Sequence, residues 1–290
     1  MQKPTFIILI LTFITGTSCQ TPKDTSGYSF FVAGHVYGAH GESEINIGVH
    51  PPFKDKIGLI KNNPSIAFGV LTGDMVYDAT SEKEWDELDA DIVAMNKTVY
   101  FAPGNHDIGN SKKRALFTKR YGPTYQSFVH NKDFFIILDS NLDPANISGD
   151  QLTWLKDEVQ TKAISSRNIF VFFHHVLWWQ KDNRYKNSPL NSKKGRKEKN
   201  DFFTEIYPLF ETLSNEVFLF AGDTGAYDRG IMYDKTKNIT LIASGMGGRK
   251  EDNFVIVRVA NDGSVSFDLI SLNGKTLDGL GKLENHILTH

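Results

Sequence analysis

Residues 98–107 read TVYFAPGNHD, an apolar run that stops at a Pro-Gly turn and then presents Asn105, His106 and Asp107 in succession. Thr98–Ala102 is rich in β-branched and aromatic residues, the composition of a buried strand. The same pattern recurs along the chain. Ser29–Ala33 ends in Gly34-His35, Ile66–Leu71 in Thr72-Gly73-Asp74, Ile169–Phe173 in His174-His175 and Val217–Ala221 in Gly222-Asp223. Five buried strands thus carry a metal-capable side chain at their carboxyl ends, the edge of an α/β sheet where ligands bind. Glycine beside such a residue lets the backbone turn sharply and leaves space for an ion. A lone His-His pair is usually structural, and Gly-Asp is a common turn. Five such endings at equivalent positions form a pattern that neither explanation covers. A His/Asp/Asn set suits Zn, Mn or Fe rather than Ca.

Helical spacing fills the gaps between these runs. Glu82–Met95 puts Trp85, Leu88, Ile92 and Met95 on one face, and Gln151–Val159 does so with Leu152, Leu155 and Val159. Phe202–Leu213 is a third helix candidate. Phe134–Leu138 is a further strand, and beyond residue 216 the pattern changes to strands alone. These are Gly230–Asp234, Ile239–Ala243, Phe254–Ala260 and Ser264–Ile270, joined by turns such as Asn261-Asp262-Gly263. Strand–helix alternation followed by strand pairs predicts an α/β protein with layered sheets.

Composition agrees with a packed core. The 290 residues are 40% hydrophobic and 23% charged, which excludes a disordered, collagen-like or coiled-coil chain. The net charge of −2 gives no general attraction to nucleic acid or anionic membrane. A single Cys excludes an intramolecular disulfide and a Cys-rich zinc site. That Cys follows a telling segment. Lys3, the apolar stretch Phe6–Ile14 broken only by Thr12, and the small residues Gly16, Thr17 and Ser18 have the layout of an export signal. Cys19 resembles the lipidation site of bacterial lipoproteins, although Gly16 stands where those signals usually carry Leu, Val or Ile. The expected organisation is an export signal over 1–19, a tether over 20–27 and one domain over 28–290. No later run approaches a transmembrane length, and no repeat of 20–50 residues is present.

The strand-end residues resemble the calcineurin-like metallophosphoesterases, the superfamily that includes purple acid phosphatases. Gly73-Asp74, Gly104-Asn105-His106-Asp107 and the strand ending in His174-His175 carry the likeness most specifically. The stretches 121–128 (YGPTYQSF), 138–140 (LDS) and 151–155 (QLTWL) resemble many members as well. The resemblance implies a four-layer α/β/β/α sandwich of two packed mixed β-sheets flanked by helices, with a two-metal site at one edge. On it, Asp74 bridges the metals, and Asn105 and His174 are ligands of the second. His106 steadies the leaving group, Asp107 orients His106, and His175 is a neighbour facing the substrate. Two motifs depart. The usual Asp-x-His is His35-Val36-Tyr37, and the usual Gly-His-x-His is Gly222-Asp223-Thr224-Gly225. The changes look reciprocal, and His35 and Asp223 remain metal-capable types. Tyr37 could ligate as a phenolate, whereas Gly225 has no side chain to do so. The first site therefore keeps His35, Asp74 and Tyr37, and the second Asp74, Asn105, His174 and Asp223. Together they imply one or two divalent or trivalent transition ions.

The implied activity is metal-dependent hydrolysis of a phosphate mono- or diester in the cell envelope. Metals lower the pKa of bound water and neutralise phosphoryl charge, and two ions about 3.5–4 Å apart do both at once. The altered outer motifs motivate an alternative, a non-catalytic phosphate- or glycan-binding lipoprotein on the same scaffold. The balanced charge speaks against a nuclease, and contact with the membrane is expected only through the N-terminal lipid. Residues 181–200 (KDNRYKNSPLNSKKGRKEKN) hold eight basic and two acidic residues directly after Trp178 and Trp179. A charge run of this kind is commonly a solvated loop. It also reads as a flap whose Lys193, Lys194 and Arg196 attract an anionic substrate, with Trp178 and Trp179 stacking on a ring or lying in the core.

Overall fold

The computed structural model describes residues 27–39, 48–191, 196, 198–227, 229–272 and 279–288. The export segment, nearly all of the tether, and Lys193 and Lys194 lie outside the described residues. Eleven strands are described: β1 (Tyr28–Ala33), β2 (Ile66–Leu71), β3 (Thr98–Phe101), β4 (Gln126–His130), β5 (Asp133–Ile137), β6 (Asn168–Phe173), β7 (Glu216–Ala221), β8 (Ile231–Thr236), β9 (Ile239–Ser244), β10 (Asn253–Val259) and β11 (Val265–Ser271). They form a five-stranded sheet in the order β11-β10-β1-β2-β3 and a six-stranded sheet in the order β4-β5-β6-β7-β9-β8. In the first sheet β1, β2 and β3 run parallel. In the second, β5, β6, β7 and β9 do. Antiparallel β10 and β11, β4, and β8 complete the mixed sheets.

Alternation explains why the strands read as unbroken apolar runs. On β6, Phe170 and Phe172 face the other sheet, while Ile169, Val171 and Phe173 face outward into a second core. Both faces are covered, as expected of parallel strands. The space between the sheets is largely aromatic. Phe135 stacks on Phe170 at 5.0 Å, Phe170 on Phe218 at 5.1 Å and Phe172 on Phe220 at 5.2 Å, and Phe30 meets Phe170 edge-on at 5.0 Å. Such pairs contribute about 0.5–1.5 kcal/mol each beyond their buried area.

Helices α1 (Pro51–Lys54), α2 (Ile57–Asn62), α3 (Glu82–Met95), α4 (Asn105–Ile108), α5 (Ser111–Tyr121), α6 (Gly149–Lys162) and α7 (Tyr207–Glu211) complete the layers. Phe53, Ile60, Trp85, Leu88 and Phe117 cover the five-stranded sheet, and Leu155, Val159 and Phe210 cover the other. The α3 bounds match the spacing, with Ser81 capping Glu84 N–H and Asn96 closing it in the left-handed region. The expected helix over Phe202–Leu213 is different. Phe202–Ile206 is a π-helical turn, and α7 starts with Pro208 in its first turn. Proline has no N–H to return to the preceding turn, so the wider turn precedes it. Among the described residues no helix is long and apolar enough to cross a membrane.

Candidate metal centre

All the parallel strands end on the same side, and the expected ligands meet there. Asp74 follows β2, Asn105 opens α4 after β3, His174 follows β6 and Asp223 follows β7. His174 Nε2 lies 3.1 Å from Asn105 Oδ1, 3.4 Å from Asp74 Oδ1 and 3.9 Å from Asp223 Oδ1. Across Asp74, His35 Nε2 lies 3.7 Å from Oδ2. The two oxygens of one carboxylate therefore each face a different imidazole. His35, Asp74, His174 and Asp223 are all buried.

The main chain sets this geometry. His35 and Asp74 both hold left-handed backbone, with φ of 50° and 51°. For residues other than glycine such conformations cost about 1–3 kcal/mol and concentrate at functional sites. Tyr37 N–H donates to the Asp74 carbonyl at 2.9 Å, which ties the two turns together. Gly104 is required by close approach, because a Cβ there would lie 2.2 Å from Asp74 Oδ1. At Gly73 (φ +90°) a Cβ would meet His174 Nδ1 at 2.4 Å.

Each imidazole is turned by a carbonyl. His35 Nδ1–H donates to Met246 O at 2.7 Å, and His174 Nδ1–H donates to Thr72 O at 2.9 Å. That leaves their Nε2 atoms aimed at oxygen atoms. A ring whose Nδ1–H is held by a carbonyl while Nε2 is turned toward side-chain oxygens is the arrangement of metal-binding histidines. An ion beside His174 Nε2 would therefore find candidate oxygen donors in Asp74, Asn105 and Asp223. At the other oxygen of Asp74, His35 adds a donor.

Electrostatics follow the same layout. Burial alone raises the Asp74 carboxyl, yet His174, His106 and His35 together hold it below its usual range. Burial pulls His174 down, but the Asp74 and Asp223 carboxylates outweigh it and keep that pKa raised. His35 is lowered by its burial. Burial, and then the positive charge of Arg196, push His175 well below the ordinary value, which leaves it neutral at pH 7.

A sequence model of the calcineurin-like phosphoesterases matches residues 39–202, more than half of the chain. The chain belongs to that family. Both departing motifs, at 35–37 and 222–225, lie outside the matched residues. No curated protein matches it in sequence. Among solved structures, a purple acid phosphatase from yellow lupin (Lupinus luteus) seeds superposes with a TM-score of 0.60 at 13% identity. The match covers 89% of this chain and 53% of the lupin protein, so the chain spans about half of that protein's length. A dimetal phosphatase from Danio rerio superposes with a TM-score of 0.58 at 14% identity, covering 86% of this chain and 99% of the other. At these identities the likeness shows the fold, which is the calcineurin-like phosphoesterase fold of two mixed sheets and flanking helices.

Several expected placements change. Asp107 does not orient His106. Its Oδ2 accepts from Gly104 N–H at 2.7 Å and its Oδ1 from Met75 N–H at 2.8 Å and Val76 N–H at 3.3 Å. It is a buried clamp joining the two loops that carry Asp74 and Asn105, and burial with the nearby Asp74 charge pushes it up to about 6. His106 is turned instead by Tyr77, whose carbonyl accepts from Nδ1–H at 3.0 Å. Its Nε2 lies 3.5 Å from the Tyr37 hydroxyl, which places Tyr37 beside His106. Burial and the nearby Asp74 charge raise the Tyr37 pKa, and its ring also lies 4.4 Å from that of His35.

Trp178 and Trp179 are core residues rather than stacking surfaces. Both are buried, Trp178 against Phe173 and Phe202, and Trp179 Nε1–H donates to Lys186 O. Arg196 is not a surface cation but is buried in an ion pair with Asp223. His175 sits beside His174 and Asp223, with ligand atoms within 4.8 Å of one another. Its Nδ1 is hydrogen-bonded to Ser140 Oγ at 2.9 Å, and its main-chain N–H donates to the same oxygen at 3.1 Å. Ser140 lies in the 138–140 stretch that carried the resemblance. That stretch is the signal that could have pointed to this contact. Asn191 gave no signal at all, although it binds the Asp223 segment.

Proposed function

We propose that this phosphoesterase hydrolyses a phosphate mono- or diester in the cell envelope, using a water held by a transition ion such as Zn, Mn or Fe. The placing of Asp74, Asn105 and Asp223 oxygens around His174 Nε2, with the other ring nitrogen held by the Thr72 carbonyl, carries this reading. A bound ion lowers the pKa of its water and offsets phosphoryl charge. The side chains supply the rest. Asp74 presents one oxygen to each flanking imidazole, and Asp107 keeps the two ligand loops in register. His106, turned by Tyr77 and neighboured by the Tyr37 phenol, is the group we assign to hydrogen-bond and protonate the leaving oxygen. Location in the envelope rests on Lys3, the apolar stretch Phe6–Ile14 and Cys19. A mature protein that still begins at Met1 would overturn that part.

The test is metal analysis of the purified protein together with turnover of simple mono- and diesters. Bound ion and turnover, both lost in Asp74→Asn, are expected. Bound ion with no turnover of either ester class would favour the phosphate- or glycan-binding alternative. Absence of any bound transition ion would overturn the metal reading.

A further inference from the structure

Asp223 stands where the family's last motif usually has a histidine, and that exchange changes what must hold the ligand. A histidine is held by its own second N–H, as His35 and His174 are by Met246 and Thr72. A carboxylate has only acceptors, so its holder must be a donor. The Arg196 guanidinium is that donor. Its Nη2 pairs with Asp223 Oδ2, while Asp223 Oδ1 faces His174 Nε2 at 3.9 Å. Both side chains are almost fully buried, at 4% and 6% exposed. Arg196 Nη1–H also donates to Val176 O at 3.4 Å, which fixes the guanidinium from the β6 side. A second tie joins the same two segments. Asn191 N–H donates to Asp223 O at 3.1 Å, and Asn191 Oδ1 accepts from Ala226 N–H at 2.7 Å.

We propose that Arg196 is the positioning residue of Asp223: it holds one carboxylate oxygen so that the other alone faces the ion. The proposal rests on the reading of the site as a metal centre. Without the guanidinium, Asp223 is free to rotate or to offer both oxygens, and the site holds a buried carboxylate with one side unpaired. The basic segment thereby acts as an internal support for the altered last motif.

Cobalt(II) is the probe, because its visible bands report ligand geometry. Wild type should bind it stoichiometrically. Arg196→Gln should weaken binding by about 10–100-fold, the usual effect of losing a partner behind a ligand, and should shift the bands. Arg196→Lys keeps the charge without the fork and should fall between the two. A merely structural arginine would lower the melting temperature but leave the affinity and bands of the folded protein alone. Wild-type affinity and bands in both variants would overturn the proposal. Tighter binding in Arg196→Gln would do so too, by making Arg196 a competitor for Asp223. If Arg196→Gln does not fold, Arg196→Lys decides: unchanged affinity and bands overturn the proposal. A wild type that binds no cobalt sinks the metal-centre reading itself.

Discussion

His106 differs from the other imidazoles at the site in what its free nitrogen faces. His35 and His174 turn Nε2 toward carboxylate oxygens, whereas His106 turns it toward the Tyr37 hydroxyl at 3.5 Å. Its main-chain N–H, not its ring, touches Asp74, at 3.1 Å from Oδ1. Removing the ring should therefore spare the ligands and remove a proton donor. His106→Asn should keep its metal content while turnover of an alkyl phosphate falls by about 10²–10⁴-fold, the range of general-acid catalysis. An activated aryl phosphate, whose leaving group needs no proton, should lose less. Metal analysis beside the two assays checks this. Equal losses on both esters, or loss of metal, would remove His106 from the role of acid.

At the scale of elements, the segment following β6 links ligand and core within a few residues. His174 points into the site, while Trp178 is fully buried against Phe173 and Phe202, with its Nε1–H directed at Met232 Sδ at 3.3 Å. Trp178→Ala should cost about 3–5 kcal/mol in urea unfolding, as expected for emptying a buried aromatic site. KM of the folded protein should stay near wild type. A raised KM with unchanged stability would restore Trp178 as a substrate wall. This residue also shows where the sequence falls silent. Tryptophan has the same identity in a core and in a cleft, so Trp178-Trp179 gave no means of choosing. The strands were legible because both their faces are buried, which makes them continuous apolar runs with abrupt polar ends. Helix α5 was not, because Ser111–Tyr121 (SKKRALFTKRY) buries only Phe117 and so shows no apolar stripe. The meeting of the candidate ligands was legible because each follows a strand end within a few residues. The partners behind it were not. Arg196 meets Asp223 across 27 positions from within a charge run, and Asp107 answers to main-chain N–H groups of another loop.

The whole molecule has two unlike ends, one for the ion ligands and one that locks the sheets. At the second, buried Asp133 accepts from Tyr28 OH at 2.8 Å, from Arg167 at 2.6 Å and from Asn168 N–H at 3.1 Å, joining β1 to β5 and β6. His130 lies in the same region, with its ring 4.6 Å from Tyr28 and 5.3 Å from Phe68. Its Nε2 is buried with no hydrogen-bond partner among the described residues. Burial lowers its pKa below the ordinary histidine value of 6.5, against the opposing charge of Asp133. The folded state thus favours neutral His130, whereas the unfolded chain takes up a proton near pH 6.5. Below that pH the unfolded state binds more protons, so this contribution to stability is lost as pH falls from 6.5 toward the folded pKa. His130→Phe keeps an aromatic ring and removes the titration. The other titrating groups contribute equally to both proteins, so the difference between them isolates His130. Urea unfolding at pH 7 and pH 5 should show the variant gaining stability relative to wild type at the lower pH. Parallel losses in the two proteins would mean that His130 is protonated as readily in the fold as outside it. The aromatic packing at this end of the sheets would then be open enough to water to solvate a charge.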